Sequence, residues 1–285
     1  MMVNVYFVSD ESGGWTLVDA GLRPYTDRIR RAARELYGSR PPSAIVLTHG
    51  HFDHIGGLPQ LAREWGVPVY AHPLEQPYLT GRSSYPPPDP NAGGGGWSLL
   101  SWSFPRGPLD LGGLARMLPE DGTVPTLPGW RWIHTPGHSP GHASLFRDSD
   151  KTLIAGDAVV TTKQESVFDV LTQRQIVWRP PAYYTIDWDA AGRSVALLAT
   201  LQPEVLATGH GTPLAGAAMR RALDRLAERF DSFVPSSGRY VHEPAITNEN
   251  GVVHVPPPVV GPANVAAGLA AVAAGAALAV YARRR

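Results

Sequence analysis

The residues most able to do chemistry lie in one short loop, which holds three imidazoles and a carboxylate: His49, His51, Asp53 and His54. The loop follows an apolar run, 44–47, that is typical of a buried strand. Imidazole suits zinc and iron, and a carboxylate offsets part of a cation's charge. A His-rich loop can also be adventitious polar surface. Four ligand-type side chains directly after a buried strand are better explained by a metal site.

Three later stretches repeat the pattern of a ligand-type residue at the end of a short apolar run. The first contains His134, His138 and His142, spaced by four residues. On a loop, that spacing does not bring three rings onto one face, so not all three need bind metal. The other two stretches end in Asp157 and His210. The elements that carry these residues must therefore bring four strand ends together.

The composition restricts the chemistry further. The chain has 285 residues, no cysteine, and 25 basic residues against 25 acidic ones. Thiolate ligands, thiol nucleophiles and disulfides are excluded, so any metal must be held by His and Asp. The formal net charge is zero, so no excess of basic residues indicates that nucleic acid is the main binding partner. No secretory signal is visible at the start, and a cytoplasmic location is expected.

Hydrophobic periodicity predicts alternating strands and helices. Residues 3–8 and 15–19 form a predicted hairpin. Further strands are predicted at 44–47, 67–71, 123–127, 130–133, 143–146, 152–154 and 205–208, and helices at 24–37, 55–65, 188–201 and 214–233.

Two single residues and one segment have two interpretations each. Asp19 either orients a metal ligand or caps a turn. His72, at the end of a predicted strand, is either a metal ligand or a structural residue, and the structural role is expected. Residues 81–114 are rich in Pro and Gly and look like an insertion. Their aromatic residues either pin a packed loop or belong to a lid over a substrate; these are Trp97, Trp102 and Phe104.

The C-terminal part divides into a Pro-rich extended segment, 233–262, and an Ala-rich helix, 263–285. Residues 265–282 carry no charge, and eighteen helical residues span about 27 Å, close to the hydrocarbon thickness of about 30 Å. An apolar stripe at helical spacing, formed by Val265, Leu269, Val272 and Ala276, also suits packing on the body or on a second copy of the chain. Packing or a homo-oligomer is preferred, and membrane association through 265–282 is the alternative.

The motifs in order resemble the metallo-β-lactamase superfamily. The resemblance rests on T-H-G-H-F-D-H at 48–54, T-P-G-H-S-P-G-H at 135–142, G-D at 156–157 and G-H-G at 209–211. It implies an α/β fold, a four-layer αββα sandwich, over a catalytic domain of residues 1–232.

The resemblance also implies two metal positions and the residues that hold them. His49, His51 and His138 would bind the first cation, and Asp53, His54 and His210 the second. Asp157 would bridge the two. The expected cofactors are two zinc ions, although iron or manganese would suit the same ligands. Asp53 and Asp157 are the expected catalytic residues.

The implied reaction is hydrolysis of a small acyl compound, an ester, thioester or lactone, by a metal-activated hydroxide, as in the glyoxalase-II-like and lactonase-like branch. The chain departs from both types. Val160 stands where acyl-homoserine lactonases have a tyrosine, and the glyoxalase II cysteine motif is missing. Tyr183 or Tyr184 could supply a phenol to the substrate, and Lys163 could contact an anion, although ordinary packing of the tyrosines and a solvated surface lysine are the preferred interpretations.

Two other functions are compatible with the resemblance. Mononuclear-iron persulfide dioxygenases share the fold and the first motif, but they leave the second metal position empty. A membrane-tethered protein of the same fold is the third hypothesis.

Overall fold

Two five-stranded sheets form the centre of the protein in a computed structural model, which describes residues 2–259. The strands of the first sheet, in spatial order, are Tyr6–Ser9 (β1), Trp15–Val18 (β2), Ala44–Val46 (β3), Val69–Ala71 (β4) and Ala115–Met117 (β5). β1 and β2 form the predicted antiparallel hairpin, and β2 to β5 run parallel. Parallel strands place their carboxyl ends at one edge of the sheet.

The second sheet mixes parallel and antiparallel pairing. Its strands in chain order are Trp130–His134 (β6), Ala143–Arg147 (β7), Thr152–Ile154 (β8), Val205–Ala207 (β9) and Leu214–Ala215 (β10). Only β8 and β9 pair in parallel. A separate hairpin, Ile246–Asn248 (β11) with Gly251–His254 (β12), lies outside both sheets.

The helices of the described residues are Thr26–Tyr37 (α1), Phe52–Ile55 (α2), Leu58–Trp65 (α3), Gln76–Leu79 (α4), Gly96–Leu100 (α5), Val167–Thr172 (α6), Trp188–Thr200 (α7) and Gly216–Glu228 (α8). Four of them cover the outer faces of the sheets. α1 and α3 contribute to the core behind the first sheet, and α7 and α8 to the core behind the second.

Side-chain alternation along the strands sorts apolar residues into three cores. Leu17 faces the helices outside the first sheet, whereas its neighbour Val18 faces the other sheet. In the same way, Leu153 packs on the outer helices and Ile154 between the sheets. Because successive strand residues point to opposite faces, each strand contributes to two layers. The predicted four-layer αββα sandwich is confirmed.

Several predicted elements differ from the structure. Residues 123–127 are not a strand: Thr123 makes one isolated bridge to Arg131, and Leu127 closes a turn onto Val124. Pro125 explains this difference, because it cannot donate to a sheet ladder. The predicted helix 214–233 begins at Gly216, since its first two residues pair with β9, and it ends at Glu228.

The segment 81–114 is held to the body by buried residues, among them Tyr85 and Asp89. Of its aromatic residues, Phe104 packs against Tyr184, whereas Trp102 is 62% exposed and is therefore not an anchor. The predicted helix 263–285 lies outside the described residues. Within residues 2–259, no helix is long and apolar enough to cross a membrane.

Candidate metal centre

The first motif follows β3 at the carboxyl edge of the first sheet. His49 and His51 lie in the loop after the strand, and Asp53 and His54 lie in the first turn of α2. All four side chains are buried. The sharp change from strand to helix turns these side chains toward one point between the two sheets.

The second sheet brings three further residues to the same point, namely His138 after β6, Asp157 after β8 and His210 after β9. Asp157 Oδ2 lies 3.1 Å from His210 Nε2 and 3.5 Å from His138 Nε2. The other carboxylate oxygen, Oδ1, lies 3.6 Å from His54 Nε2. Asp157 thus stands between both groups of histidines.

Ligand-type atoms within 4.8 Å of one another form three overlapping groups: His49, His51 and His138; His49, His54 and Asp157; and Asp53, His54 and His210. The first and third groups match the two ligand sets that the family resemblance implies. In the second group, Asp157 meets one histidine from each set.

The polar atoms at this centre fit a cation. Within residues 2–259, His49 Nε2, His54 Nε2 and Asp157 Oδ1 are buried without a hydrogen-bond partner. Buried polar atoms without partners are rare in folded proteins and call for an explanation. His51 Nδ1 and His138 Nε2 lie only 3.0 Å apart and converge as well. Lone pairs aimed at a common point are what a metal ion requires.

Neighbouring groups fix which ring nitrogen faces the centre. Asp19 Oδ2 accepts hydrogen bonds from His54 Nδ1 and from the hydroxyl of Thr48, both over 2.8 Å. That hydroxyl oxygen is therefore free to accept from His49 Nδ1, at 3.1 Å. In the neutral form that binds metal, both rings then present an unprotonated Nε2 to the centre. Of the two roles predicted for Asp19, these hydrogen bonds favour the orientation of predicted metal ligands.

His210 is oriented in a similar way by the start of the chain. Its Nδ1 donates to the backbone carbonyl of Met2 over 2.7 Å. Its Nε2 faces the centre, 3.4 Å from Asp53 Oδ2. All three rings so oriented use Nδ1 for support and Nε2 for the centre.

Burial keeps one group of histidines neutral. It lowers the pKa of His49 and His51 well below the ordinary value and that of His138 to about 3. A neutral imidazole is the form that binds metal. These three residues are therefore ready to act as ligands near neutral pH.

The other group behaves as a set of ion pairs. Burial disfavours a charge on His54 and on His210, but Asp157 and the second carboxylate beside each ring outweigh it and raise both pKa values. Burial likewise opposes the charge on Asp157, whereas His210 and His54 hold its pKa well below the usual range. A cation would replace the protons on the two rings, so its binding would release protons.

Only one of the three histidines in the 134–142 stretch joins the cluster. The neutral His142 ring donates from Nδ1 to Thr135 Oγ1 over 2.8 Å, and its Nε2 accepts from the backbone amide of Asp157. His134 donates to the carbonyl of Pro140 and stacks on His72, with ring centroids 4.1 Å apart. His72 Nδ1 in turn accepts from the amide of Leu74, a structural role as expected.

The three predicted substrate contacts occupy different environments. Tyr184 stacks on His51, with ring centroids 4.3 Å apart and an interplanar angle of 27°. Tyr183 is buried beside it, with ring centroids 5.4 Å apart. The Lys163 ammonium lies over the ring of Trp178, 5.3 Å from its centroid. Of the three, Tyr184 has a ring contact with a predicted metal ligand.

Two residues near the centre were not predicted. Glu75 is fully buried and hydrogen-bonds to both metal-ligand loops, and Tyr85 donates to Glu75. Glu75 comes four residues after β4, which ends at the same sheet edge as β3. The rule that functional residues follow parallel strands could have found it. No local pattern identifies Tyr85, which lies in the irregular 81–114 segment.

A family model described as the metallo-beta-lactamase superfamily matches residues 1–210. The chain belongs to the metallo-β-lactamase superfamily. The predicted family is thereby confirmed. The coarse function, a metallo-hydrolase, agrees with the His/Asp cluster in the matched region and with a relative named a probable metallo-hydrolase.

Relatives agree with that assignment. Probable metallo-hydrolase YflN of Bacillus subtilis (strain 168) is 47% identical over 234 residues, which are 81% of this chain and 89% of that protein. Hydroxyacylglutathione hydrolase GloC of Haemophilus influenzae is 27% identical over 117 residues, 40% of this chain and 49% of that protein. The solved structure of TTHA1623 in a di-iron-bound form has 27% identity and a TM-score of 0.50, and it covers 75% of this chain and 89% of that one.

Proposed function

We propose that the chain is a metal-dependent hydrolase whose dinuclear site cleaves an ester, thioester or lactone. One observation carries this proposal: two complete ligand sets meet at Asp157, and ligand atoms from both sets are buried without other partners within residues 2–259. A single cation would need only one of these sets.

The predicted ligands divide between the two positions. His49, His51 and His138 would hold one cation, Asp53, His54 and His210 the other, and Asp157 would lie between them. When bound, the cations would lower the pKa of water and polarise the acyl carbonyl. We propose zinc, with iron and manganese as alternatives that the ligands also suit. The structure of TTHA1623 in a di-iron-bound form supports a dinuclear site, and it supports iron as an alternative to zinc.

Asp53 is the proposed proton carrier. Burial raises the pKa of its carboxyl group, which lies at 3.4 Å from His210 Nε2. Beside the bound cations, this carboxylate could take the proton of the attacking water and return it to the leaving oxygen or sulfur. Asp157, whose pKa is lowered, stays ionised and holds the two ligand sets together.

An aromatic wall, formed by Phe52, Phe104 and Tyr184, leads away from the centre. Phe104 lies 5.4 Å from Phe52 and 6.3 Å from Tyr184 between ring centroids, and both phenylalanines are only half-buried. The wall thus runs from His51, on which Tyr184 stacks, toward the surface. It supports a substrate whose acyl part is apolar or aromatic.

Tyr184 is the proposed substrate contact. Its hydroxyl is buried and has no hydrogen-bond partner within the described chain. Such a donor beside a metal ligand could hydrogen-bond the carbonyl oxygen of a substrate, where charge develops during attack. Contacts from Tyr183 and Lys163 stay predictions.

The persulfide dioxygenase alternative is less well supported. Those enzymes would leave Asp53, His54 and His210 without a metal, whereas here the three buried residues converge. The thioester hydrolase GloC supports acyl transfer chemistry instead, over the 40% of this chain that it matches. A cytoplasmic location, and oligomer or membrane contact through 265–282, stay predictions that fractionation and light scattering of the full chain can test.

Metal analysis combined with a substrate panel tests the function. The protein is purified without added metal, metal content is measured, and chromogenic esters, lactones and thioesters with short, long and aromatic acyl groups are assayed. We expect two metal ions per chain and a preference for apolar acyl groups. One iron per chain, with oxygen uptake on glutathione persulfide and no hydrolysis, would overturn the proposal.

Two conservative variants test the phenol. Tyr184→Phe keeps the stack on His51 and removes the hydroxyl, and kcat/KM should fall by about 10²-fold, as for an oxyanion donor. Tyr183→Phe is the matched comparison at the neighbouring buried phenol. Equal effects of the two variants, or none from Tyr184→Phe, would remove Tyr184 from the proposal.

A further inference from the structure

Glu75 is a buried carboxylate that lies between the two loops carrying the first set of metal ligands. It belongs to the turn Pro73–Glu75 after β4, and its side chain is fully buried. No Lys, Arg or His of residues 2–259 forms an ion pair with it. A charge buried without a counter-ion is costly unless hydrogen bonds satisfy it.

Each carboxylate oxygen of Glu75 accepts a backbone hydrogen bond from a different loop, Oε2 from the loop of His49 and His51 and Oε1 from the loop of His138. Oε2 accepts from the amide of Gly50, over 2.9 Å, and from the hydroxyl of Tyr85. Oε1 accepts from the hydroxyl of Ser139, over 2.9 Å, and from the amide of Gly141, over 2.8 Å. Four donors surround the two oxygens, so the group is satisfied as an ionised carboxylate.

The partners of Glu75 are direct neighbours of metal ligands. Gly50 stands between His49 and His51, and Ser139 follows His138. One carboxylate therefore ties the backbone of the histidine pair to the backbone of the third histidine. Its two oxygens are joined by rigid covalent geometry, which sets how far apart the two loops can lie.

Close packing explains two glycines in the motifs. A Cβ at Gly50 would lie 2.6 Å from the Tyr85 hydroxyl oxygen, and a Cβ at Gly141 would lie 2.8 Å from Glu75 Cγ. Both distances are too short for carbon. The glycines thus permit the contact with Glu75 from either side.

We propose that Glu75 is a positioning residue for the first metal position, which sets the spacing between the His49–His51 pair and His138. The role rests on the metal positions of the proposed function, and it concerns cation affinity and geometry. The Gln variant cannot replace the carboxylate, because its amide NH2 would face two donors where an acceptor is needed.

Metal titration tests the proposal separately from turnover. Wild type and Glu75→Gln, freed of metal, are titrated with Zn²⁺ against a chelating dye and with Co²⁺, whose visible spectrum reports ligand geometry. The affinity of one of the two cation positions should fall by about 10- to 100-fold in Glu75→Gln, as for other groups that support metal ligands, with an altered Co²⁺ spectrum.

Glu165→Gln is the matched control, because Glu165 is equally buried but pairs with Arg179 and the amide of Ala182. It should lower Tm and leave both cation affinities unchanged. Wild-type affinities and spectrum in Glu75→Gln would overturn the proposal, even with a lowered Tm. Absence of metal binding by wild type would instead refute the proposed function.

Two milder variants decide the question if Glu75→Gln does not fold. Tyr85→Phe removes one donor to Oε2, and Ser139→Ala removes one donor to Oε1. Each should weaken the same cation position by a smaller factor. Unchanged affinity in both would overturn the proposal.

Discussion

The backbone amide of Asp157 donates a hydrogen bond to Nε2 of His142 over 2.9 Å. His142 therefore holds the residue that stands between the two ligand sets, although it is not itself in any of the ligand groups. Its other nitrogen is engaged by Thr135. This support differs from that of Asp19, because it acts on the backbone of a ligand residue.

His142→Ala should weaken metal binding by about 10- to 100-fold, because the Asp157 amide loses its acceptor and the carboxylate is no longer held in place. Dissociation constants from chelator competition measure the effect. His134→Gln, at the other end of the same loop, should leave them unchanged. Full metal affinity in His142→Ala would show that the hydrogen bond is dispensable.

Asp157→Ala should lose metal and turnover together. The side chain lies within 3.6 Å of nitrogens from His54, His138 and His210. Its removal therefore weakens both sets of predicted metal ligands. It also leaves His54 and His210 without the negative charge that raises their pKa values. Metal content after dialysis and initial rates on the best substrate measure the two effects. Asp150→Ala, at an exposed position, is the control. Normal metal content with a normal rate would refute a bridging role.

Asp19→Asn isolates the charge that orients His54. The substitution keeps the size of the side chain, and Asn tolerates the positive φ of 60° found here. It removes the negative charge of the carboxylate whose Oδ2 accepts hydrogen bonds from His54 Nδ1 and from the hydroxyl of Thr48. Metal affinity should fall by about 10- to 100-fold, with a smaller change in Tm. An unchanged affinity in calorimetric titration would show that the negative charge of Asp19 is not needed to orient His54.

His72 should make the folded protein sensitive to acid. Burial, with a smaller contribution from His134, lowers the pKa of His72 to about 3. In the unfolded chain the ring takes up a proton near pH 6.5, whereas in the folded chain it stays neutral to about pH 3. The unfolded state thus binds the extra proton across this window, and the free energy of unfolding falls as pH falls through it.

His72→Asn removes this titration and keeps an acceptor for the amide of Leu74. Denaturant unfolding at several pH values between about 6.5 and 4 should show a slope reduced by up to about 1.4 kcal/mol per pH unit. A wild-type slope in His72→Asn would place the acid sensitivity elsewhere.

The metal-ligand candidates could be found in the sequence because they are local. His49, His51, Asp53 and His54 are placed by the end of one strand and the first turn of one helix, so their spacing alone carries the signal. The hairpin β11–β12 also had a local signal that was missed, the Asn250-Gly251 pair typical of tight turns.

Contacts between distant segments were decided only by the tertiary structure. Local periodicity could not show that Leu214 would extend a strand by pairing with Leu206. Nor could spacing show which of three equally spaced histidines faces the centre, since His142 is turned away by Asp157 and Thr135.

The sequence by itself determined the ligand chemistry, the order of the strand ends and hence the family. The tertiary structure decided which lone pairs are free, because that depends on partners far away in the chain: Asp19 for His54, Met2 for His210 and Glu75 for the two loops. Residue type sets what an atom can bind. Only packing determines whether that atom is already satisfied.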